Sequence, residues 1–219
     1  PDLVYPGSFA TDPNYVDDST TVRRLIAKLT YTTKAHGQWR YEPANYVLLA
    51  GIVAKTYNRS YQEAFTQAYM QGLGLAHTRF AYAADHHDMA QGYSWGKKGI
   101  SDAPLVKTPA HIQHQEFGTG QVFMRIDDLY HAESALLNGT LMPTGASAWL
   151  FAPGSLSTYG GGFYQQPQYR AANGYGYGFQ CFVRITQSGR DAVIVMANAG
   201  QASHQNQNAA DALAQRWLP

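Results

Sequence analysis

Tyr41 is the side chain of this sequence best placed to move a proton. It stands in Gln38-Trp39-Arg40-Tyr41-Glu42-Pro43, immediately ahead of the apolar segment Tyr46-Val47-Leu48-Leu49-Ala50. Pro43 suits the first turn of a helix, where its missing N–H costs nothing and its φ is already near the helical value. Tyr41 is therefore expected just before the N-terminus of a buried helix. A phenol fixed there can act as acid, base or hydrogen-bond relay, or it can staple the helix by packing. Ser94-Trp95-Gly96-Lys97 pairs a hydroxyl with a lysine three residues on. That spacing serves nucleophilic catalysis only on a helix, and Gly96 is a poor interior helix residue. Asp85-His86-His87-Asp88 offers metal-ligand types, but adjacent histidines on an extended segment point to opposite sides, so a solvated loop is expected. His111 and His114 lack a third ligand, and no metal site is expected there either. Cys181, the one cysteine, permits no intrachain disulfide and no cysteine-based zinc site. Between Phe179, Phe182 and Val183 it reads as a buried strand residue. Gly174-Tyr175-Gly176-Tyr177-Gly178 has the look of a dinucleotide loop, but a strand follows where a helix is required. A flexible turn with aromatic contacts is expected instead, and no cofactor is implied.

With 219 residues the chain can bury one good core arranged as two lobes. Its 45% hydrophobic and 14% charged residues place it among globular proteins. A net charge of +1 gives no support for nucleic-acid binding through counterion release. The apolar runs Tyr46 to Ala50 and Ala192 to Ala197 are too short to cross a bilayer. The chain begins at Pro1 with no initiator methionine, so the absence of a targeting segment says nothing. Abundant Tyr and Gly with few charges suit an exported bacterial surface protein.

Helical spacing of Val22, Leu25, Ile26 and Leu29 predicts a helix over 20–29, capped by Asp18 or Ser19. The helix after Pro43 is apolar nearly all round, which predicts burial on most sides, and Asn58-Arg59 ends it. Ser60 to Glu63 spells a capping box for a helix over 61–70, closed by Gly72 and Gly74. From 75 to 115 the reading is loops and short strands. A helix starts near Ile126, with Asp127 and Asp128 at the positive end of its dipole, Leu129, Ala132, Leu136 and Leu137 as core face, and Asn138-Gly139 as its end. Residues 149–162 read as loop. Strands over 177–185 and 191–197 are joined by Gln187-Ser188-Gly189-Arg190, a hairpin signal. A last helix over 208–218 carries Ala209, Leu213, Ala214 and Trp217 on one face. The class is α+β in a single domain: a mainly helical lobe over 1–160, then a sheet hairpin and a covering C-terminal helix over 161–219.

The segment from Tyr41 through Asn45-Tyr46 to Leu48-Leu49 resembles the second motif region of penicillin-recognising serine hydrolases. These include class C β-lactamases, D-alanyl-D-alanine carboxypeptidases and related esterases. Three further blocks agree in order over roughly residues 20–219. Ala90-Gln91-Gly92-Tyr93 resembles the family's A-x-G-Y turn, Gly118 to Leu137 its helix introduced by a G-G-hydrophobic-x-S/T-x-x-D-L pattern, and Gly174 to Asn198 its closing hairpin. The resemblance implies a β-lactamase/penicillin-binding-protein-like fold whose N-terminal strands lie outside this sequence, leaving one hairpin edge unpaired and the piece unable to fold alone. It also implies three motifs: Ser-x-x-Lys with the nucleophile, Tyr-x-Asn, and a Lys/His-x-Gly strand. Tyr41 takes the catalytic tyrosine's place, while Glu42 and Pro43 depart from the motif and its Asn is lost. Asn173-Gly174 is the closest match to the third motif, with Arg170 a nearby positive charge, so Arg170, Asn173 and Gly174 are implied as substrate-binding. Ser94 comes after the tyrosine, out of family order, so the nucleophile is expected upstream of Pro1, in a missing N-terminal segment of the same protein. The implied activity is that of an extracellular, cell-surface serine acyl hydrolase of a Gram-positive envelope. Its expected substrate is D-alanyl groups, by preference D-alanyl esters of teichoic acids, and its partner an envelope polymer, teichoic acid or peptidoglycan stem peptide. The alternatives are a D-alanyl-D-alanine carboxypeptidase and a catalytically silent envelope-binding pseudoenzyme.

Overall fold

The computed structural model describes residues 2–4, 16–32, 37–80, 89–95, 105–108, 117–200 and 204–219. In chain order the elements are β1 (Asp2–Val4), α1 (Asp18–Lys28), β2 (Thr30–Thr32), α2 (Ala44–Tyr57), α3 (Tyr61–Phe65) running into a π-helical turn (Thr66–Gln71), β3 (Arg79–Phe80), β4 (Tyr93–Trp95), β5 (Leu105–Lys107) and β6 (Val122–Phe123). Then come α4 (Ile126–Leu137), α5 (Thr144–Leu150), β7 (Tyr159–Gly160), β8 (Phe163–Gln165), β9 (Tyr169–Gly176), β10 (Phe179–Thr186), β11 (Ala192–Ala197) and α6 (Gln205–Trp217). The chain divides into two compact units, residues 1–84 with 110–123 and residues 85–109 with 124–219.

In the first unit Asp17 starts α1. Its carboxylate accepts the Thr20 N–H at 2.7 Å and the Thr20 hydroxyl at 2.8 Å, and these bonds hold it below the usual carboxylate range. The helix therefore begins before Thr20, and neither Asp18 nor Ser19 is the cap. Asp18 is used elsewhere: its carboxylate accepts the Tyr61 N–H at 2.6 Å and so ties α3 to α1. The capping box is present as read, with Ser60 Oγ accepting the Glu63 N–H and Glu63 Oε2 accepting the Ser60 N–H. The α-helix gives way to π geometry at Thr66, however, and does not continue to Met70.

Leu25, Ala44, Val47, Ala50 and Phe117 form the core of this unit, with Val22, Leu29, Leu48 and Tyr61 packed on it. Burial of α2 on most sides is thus corrected to burial of one stripe, since Leu49 and Ile52 are 55% and 59% exposed. A helix is covered only where a neighbour stands, and here α1 and the turn at 117–120 cover the Ala44–Val47–Ala50 side. That turn lies against α2 because Gly118 has φ +73° and no Cβ; a Cβ there would fall 2.7 Å from the Tyr46 carbonyl oxygen.

In the second unit a five-stranded antiparallel sheet runs in the order β11-β10-β9-β8-β7. The two-strand reading is extended by β7, β8 and β9, and the stretch read as loop over 149–162 holds the end of α5 and all of β7. Gly174 to Gly176, expected as a flexible turn, is the end of β9. The turn itself is the pair Tyr177-Gly178, whose φ of +50° and +84° suit a two-residue hairpin. One face of the sheet packs Val183 and Ile185 against Phe151, Phe163 and Leu129, Leu136 and Leu137 of α4. The other packs Tyr169 and Ala171 against Ala214 and Leu218 at the end of α6. Along α6 the buried residues are Ala210 and Ala214, while Leu213 and Trp217 are 42% and 67% exposed. Of the predicted face Ala214 is buried as expected, whereas Leu213 and Trp217 point outward and Ala210 takes the inward place. Among the described strands β11 has β10 as its one ladder partner.

Arg184 is the largest fully buried side chain, at 1% exposure. Its Nε meets Asp211 Oδ1 of α6 at 2.6 Å, and its Nη1 donates to the Val183 carbonyl and Asn173 Oδ1, both at 2.9 Å. Asp211→Ala leaves this guanidinium buried without its counter-ion and should lower the unfolding free energy by about 3 kcal/mol. Trp217→Ala, on the outward stripe of α6, should change it by less than about 0.5 kcal/mol. Urea titration of both variants checks the pair; equal effects would restore the original reading of the α6 face.

Candidate functional site

Tyr41 precedes α2 by three residues and is 47% exposed. Its ring centroid lies 6.1 Å from that of Tyr46 in the first turn of the helix. Between them the helix start is organised by Glu42. Its carboxylate accepts the Ala44 N–H at 3.4 Å and lies 3.4 Å from Arg40 Nη2. A negative charge at a helix N-terminus is favoured by the dipole, and Pro43 cannot supply a side-chain cap. The carbonyls of Glu42 and Pro43 accept the N–H groups of Asn45 and Tyr46. Both residues after Tyr41 are therefore committed to starting α2, and Pro43 carries no hydrogen-bonding side chain where the resembled motif has its Asn.

The other sequence-predicted residues belong to the second unit. Arg170, Asn173 and Gly174 lie within β9, not ahead of the first strand as expected, because β9 pairs with β10 from Tyr169↔Thr186 to Gly176↔Phe179. Strand alternation puts Arg170, Ala172 and Gly174 on one face and Asn173 on the other. The Arg170 guanidinium donates to Gln165 Oε1 at 3.1 Å and to the Gln187 carbonyl at 2.9 Å, and stands 4.6 Å over the Phe151 ring. Burial holds its pKa below the usual arginine value. Asn173 Oδ1 accepts from Arg184, which anchors the amide to the α6 side of the sheet. Gly174 faces Cys181 across the ladder. Within β9 the closest match to the resembled third motif is Ala172-Asn173-Gly174, with a methyl group where that motif has a Lys or His. Sequence reasoning passed over Ala172; knowing that 169–176 is a strand is what singles it out.

The Ala90-Gln91-Gly92-Tyr93 block is joined to the end of the closing hairpin. Asn198 Nδ2 donates to the Gln91 carbonyl at 2.9 Å, the Tyr93 N–H donates to the Asn198 carbonyl at 2.8 Å, and Gln91 Nε2 reaches the Thr108 carbonyl at 2.9 Å. Gly178 is pressed against the same place, since a Cβ there would lie 2.4 Å from the Tyr93 nitrogen. Two blocks separated by about a hundred residues thus meet through amide side chains and backbone hydrogen bonds, with Gly178 closely approached.

Ser94 sits in β4, opposite Val106 of β5, so it starts no helix that could bring a lysine onto its face. Lys97, the segment Asp85 to Asp88, and His111 and His114 lie outside the described residues. Among the described residues no group of three or more His, Cys, Asp or Glu could hold a metal ion. Burial pushes the Cys181 thiol up to about 11, which leaves almost no thiolate at neutral pH and removes it as a nucleophile.

Compared with known proteins, the sequence matches the Beta-lactamase family over residues 1–216. It is 30% identical over 165 residues to PbpX of Bacillus subtilis (strain 168), a penicillin-binding protein by name, covering 74% of this chain and 40% of that one. In structure it resembles FmtA from Staphylococcus aureus with a TM-score of 0.78 at 19% identity, over 98% of this chain and 60% of that one. It also resembles a D-stereospecific amidohydrolase from Streptomyces sp. with a TM-score of 0.71 at 20% identity, over 89% and 60% of the two chains. At such identities the structural likeness is one of fold. The chain spans about 40% of PbpX and 60% of each of the two structural relatives.

Cys181 is half-buried against the sheet core and not fully buried as expected, and its raised thiol pKa gives a check on the second unit. Alkylation of this thiol at pH 8 should run at least about a hundredfold slower in the native protein than in urea. Equal rates would show that its surroundings do not hold the thiol protonated.

Proposed function

The chain belongs to the Beta-lactamase family, and from that membership we propose that the whole protein is a serine acyl hydrolase of a Gram-positive cell surface. Its substrate is a D-alanyl ester, that of teichoic acid, in preference to a D-alanyl-D-alanine amide. The nucleophile is a serine carried outside this sequence. Its Oγ attacks the ester carbonyl while Tyr41, in its phenolate form, takes the hydroxyl proton. The C–O bond of the ester breaks, and the departing alkoxide collects that proton. Water then enters by the same route, and hydrolysis of the acyl-serine releases D-alanine.

The observation that carries this reading is the start of α2. Tyr41 stands half-exposed at its mouth, and Pro43 occupies the place of the amide-holding Asn. An alkoxide leaves far more readily than an amide nitrogen, which must be protonated before its bond to carbon breaks. A site with fewer groups to hold an amide is therefore suited to an ester. The Streptomyces relative is named for D-stereospecific amide hydrolysis, which supports a D-configured acyl group but not the choice of ester. One observation favours a silent envelope-binding protein instead: Ala172 leaves the cationic position of the third motif without charge.

Incubating the complete protein with D-alanylated lipoteichoic acid and with a D-alanyl-D-alanine peptide separates these readings. D-Alanine should be released from the polymer and not from the peptide. Release from the peptide alone would replace the esterase with a carboxypeptidase, and release from neither, with retention on cell walls, would leave the binding protein. In the active case Tyr41→Phe should lower kcat by about a hundredfold or more with an unchanged urea midpoint. Full activity in that variant would reduce Tyr41 to a packing residue.

A further inference from the structure

A groove runs along the side of α3 and the π turn that continues it, a cavity of about 350 Å³ lined by Arg59, Gln62, Glu63, Thr66, Gln67 and Gln71. Every lining side chain is polar, and all belong to the first unit. The π turn is what gathers them. In an α-helix Gln71, five residues after Thr66, would stand about 140° round from it. The π register, whose bonds span five residues, brings it back toward the Thr66 side. Arg59 follows the end of α2 and Tyr41 precedes its start, so a helix of 14 residues, about 20 Å long, separates the two.

The charged groups of the groove are held by the protein itself. Glu63 Oε2 accepts the Ser60 N–H at 2.9 Å and the Ser60 hydroxyl at 2.7 Å, which leaves Oε1 without a partner among the described residues. Arg59 donates from Nε to the Tyr57 carbonyl at 3.3 Å and from Nη1 to Gln67 Oε1. Its Nη2, the Gln67 amide nitrogen and the whole amides of Gln62 and Gln71 keep their hydrogen-bonding capacity, with no partner among the described residues.

These groups narrow the ligand. An anion would meet the Glu63 carboxylate and a cation the Arg59 guanidinium, so the pair favours a ligand without net charge. No His, Cys or Asp joins Glu63 in the lining, so a metal ion finds one strong ligand at most. The lining offers no apolar pocket for peptide side chains and no strand edge for a peptide backbone. A sugar hydroxyl both donates and accepts, as each free amide does, so neighbouring hydroxyls match the row of glutamines.

We propose that this groove is a carbohydrate-binding site, which takes a short neutral stretch of a glycan through Arg59, Gln62, Glu63, Gln67 and Gln71. No aromatic ring lines it for stacking, so each sugar gains only hydrogen bonds exchanged with water. A short oligosaccharide therefore binds weakly, and a repeating polymer gains by presenting the same stretch many times. The site holds the protein on a glycan whatever Tyr41 does, and neither reading depends on the other.

Adding chitotetraose to the complete protein, while following the side-chain amide NMR signals of Gln62, Gln67 and Gln71, tests this. The three signals should shift together with one dissociation constant of roughly 1–10 mM, while that of Gln215, exposed on α6, stays in place. Joint Gln62→Ala and Gln71→Ala substitution should weaken binding about tenfold or more, and Gln215→Ala should leave it unchanged. Glutamine signals that do not move would overturn the site, as would a double variant that binds like the wild type. Equal shifts with glycerol phosphate would replace the neutral sugar with an anion and overturn it too. The wild-type titration decides the matter even where a variant fails to fold.

Discussion

The second unit hangs on the guanidinium of Arg184. Removing that charge from water is costly, and a single ion pair rarely offsets the cost. Here the offset is shared among Asp211 of α6, Asn173 of β9 and two backbone carbonyls, Val183 and Ala172. Each partner comes from an element that must already be in place: the helix that covers the sheet, the strand beside β10, and β10 itself. The arrangement therefore specifies more than it stabilises. It sets which face of β9 looks toward α6, and by alternation it sends Ala172 and Gly174 to the opposite face, under α4. The register of the third-motif strand follows from a residue that is part of no motif.

What was legible in the sequence were features decided within a few residues. Helix α4 announces itself through Asp127 and Asp128 at one end, Asn138-Gly139 at the other and leucines at helical spacing between. The capping box of α3 is likewise local. Strand β9 was not legible, because Ala-Ala-Asn-Gly-Tyr-Gly holds no β-branched residue; it is a strand because β10 and β8 pair with it from both sides. Helix α5 lacks a side-chain cap and is only seven residues long. The face of α6 was legible at Ala214 but not at Ala210, since alanines at 209 and 210 fit either side and only the partner sheet decides between them. The π turn after Phe65 has no composition of its own.

The same division runs through the candidate site. Tyr41 could be placed at a helix mouth because Pro43 marks a helix start by its own covalent geometry. That Glu42 supplies the cap was not legible; it follows from Pro43 having no polar side chain to offer. Arg170 was read as a cation near the substrate, yet its guanidinium is bonded to Gln165 and Gln187, on neighbours brought in by the sheet.

Pro43 and Ala172 are best considered together. In the resembled motifs one position carries an amide and the other a cation, and both serve to hold and polarise the group being cleaved. Here both are apolar, while the tyrosine that would move the proton is kept. Within the proposed hydrolase the pattern has a chemical sense. Proton transfer to and from the nucleophile is required whatever the leaving group. Holding an amide nitrogen in position for protonation is required only when that nitrogen must leave. An ester oxygen departs without it, so the retained and the lost residues divide along the line between a step every acyl transfer needs and one that only amides impose.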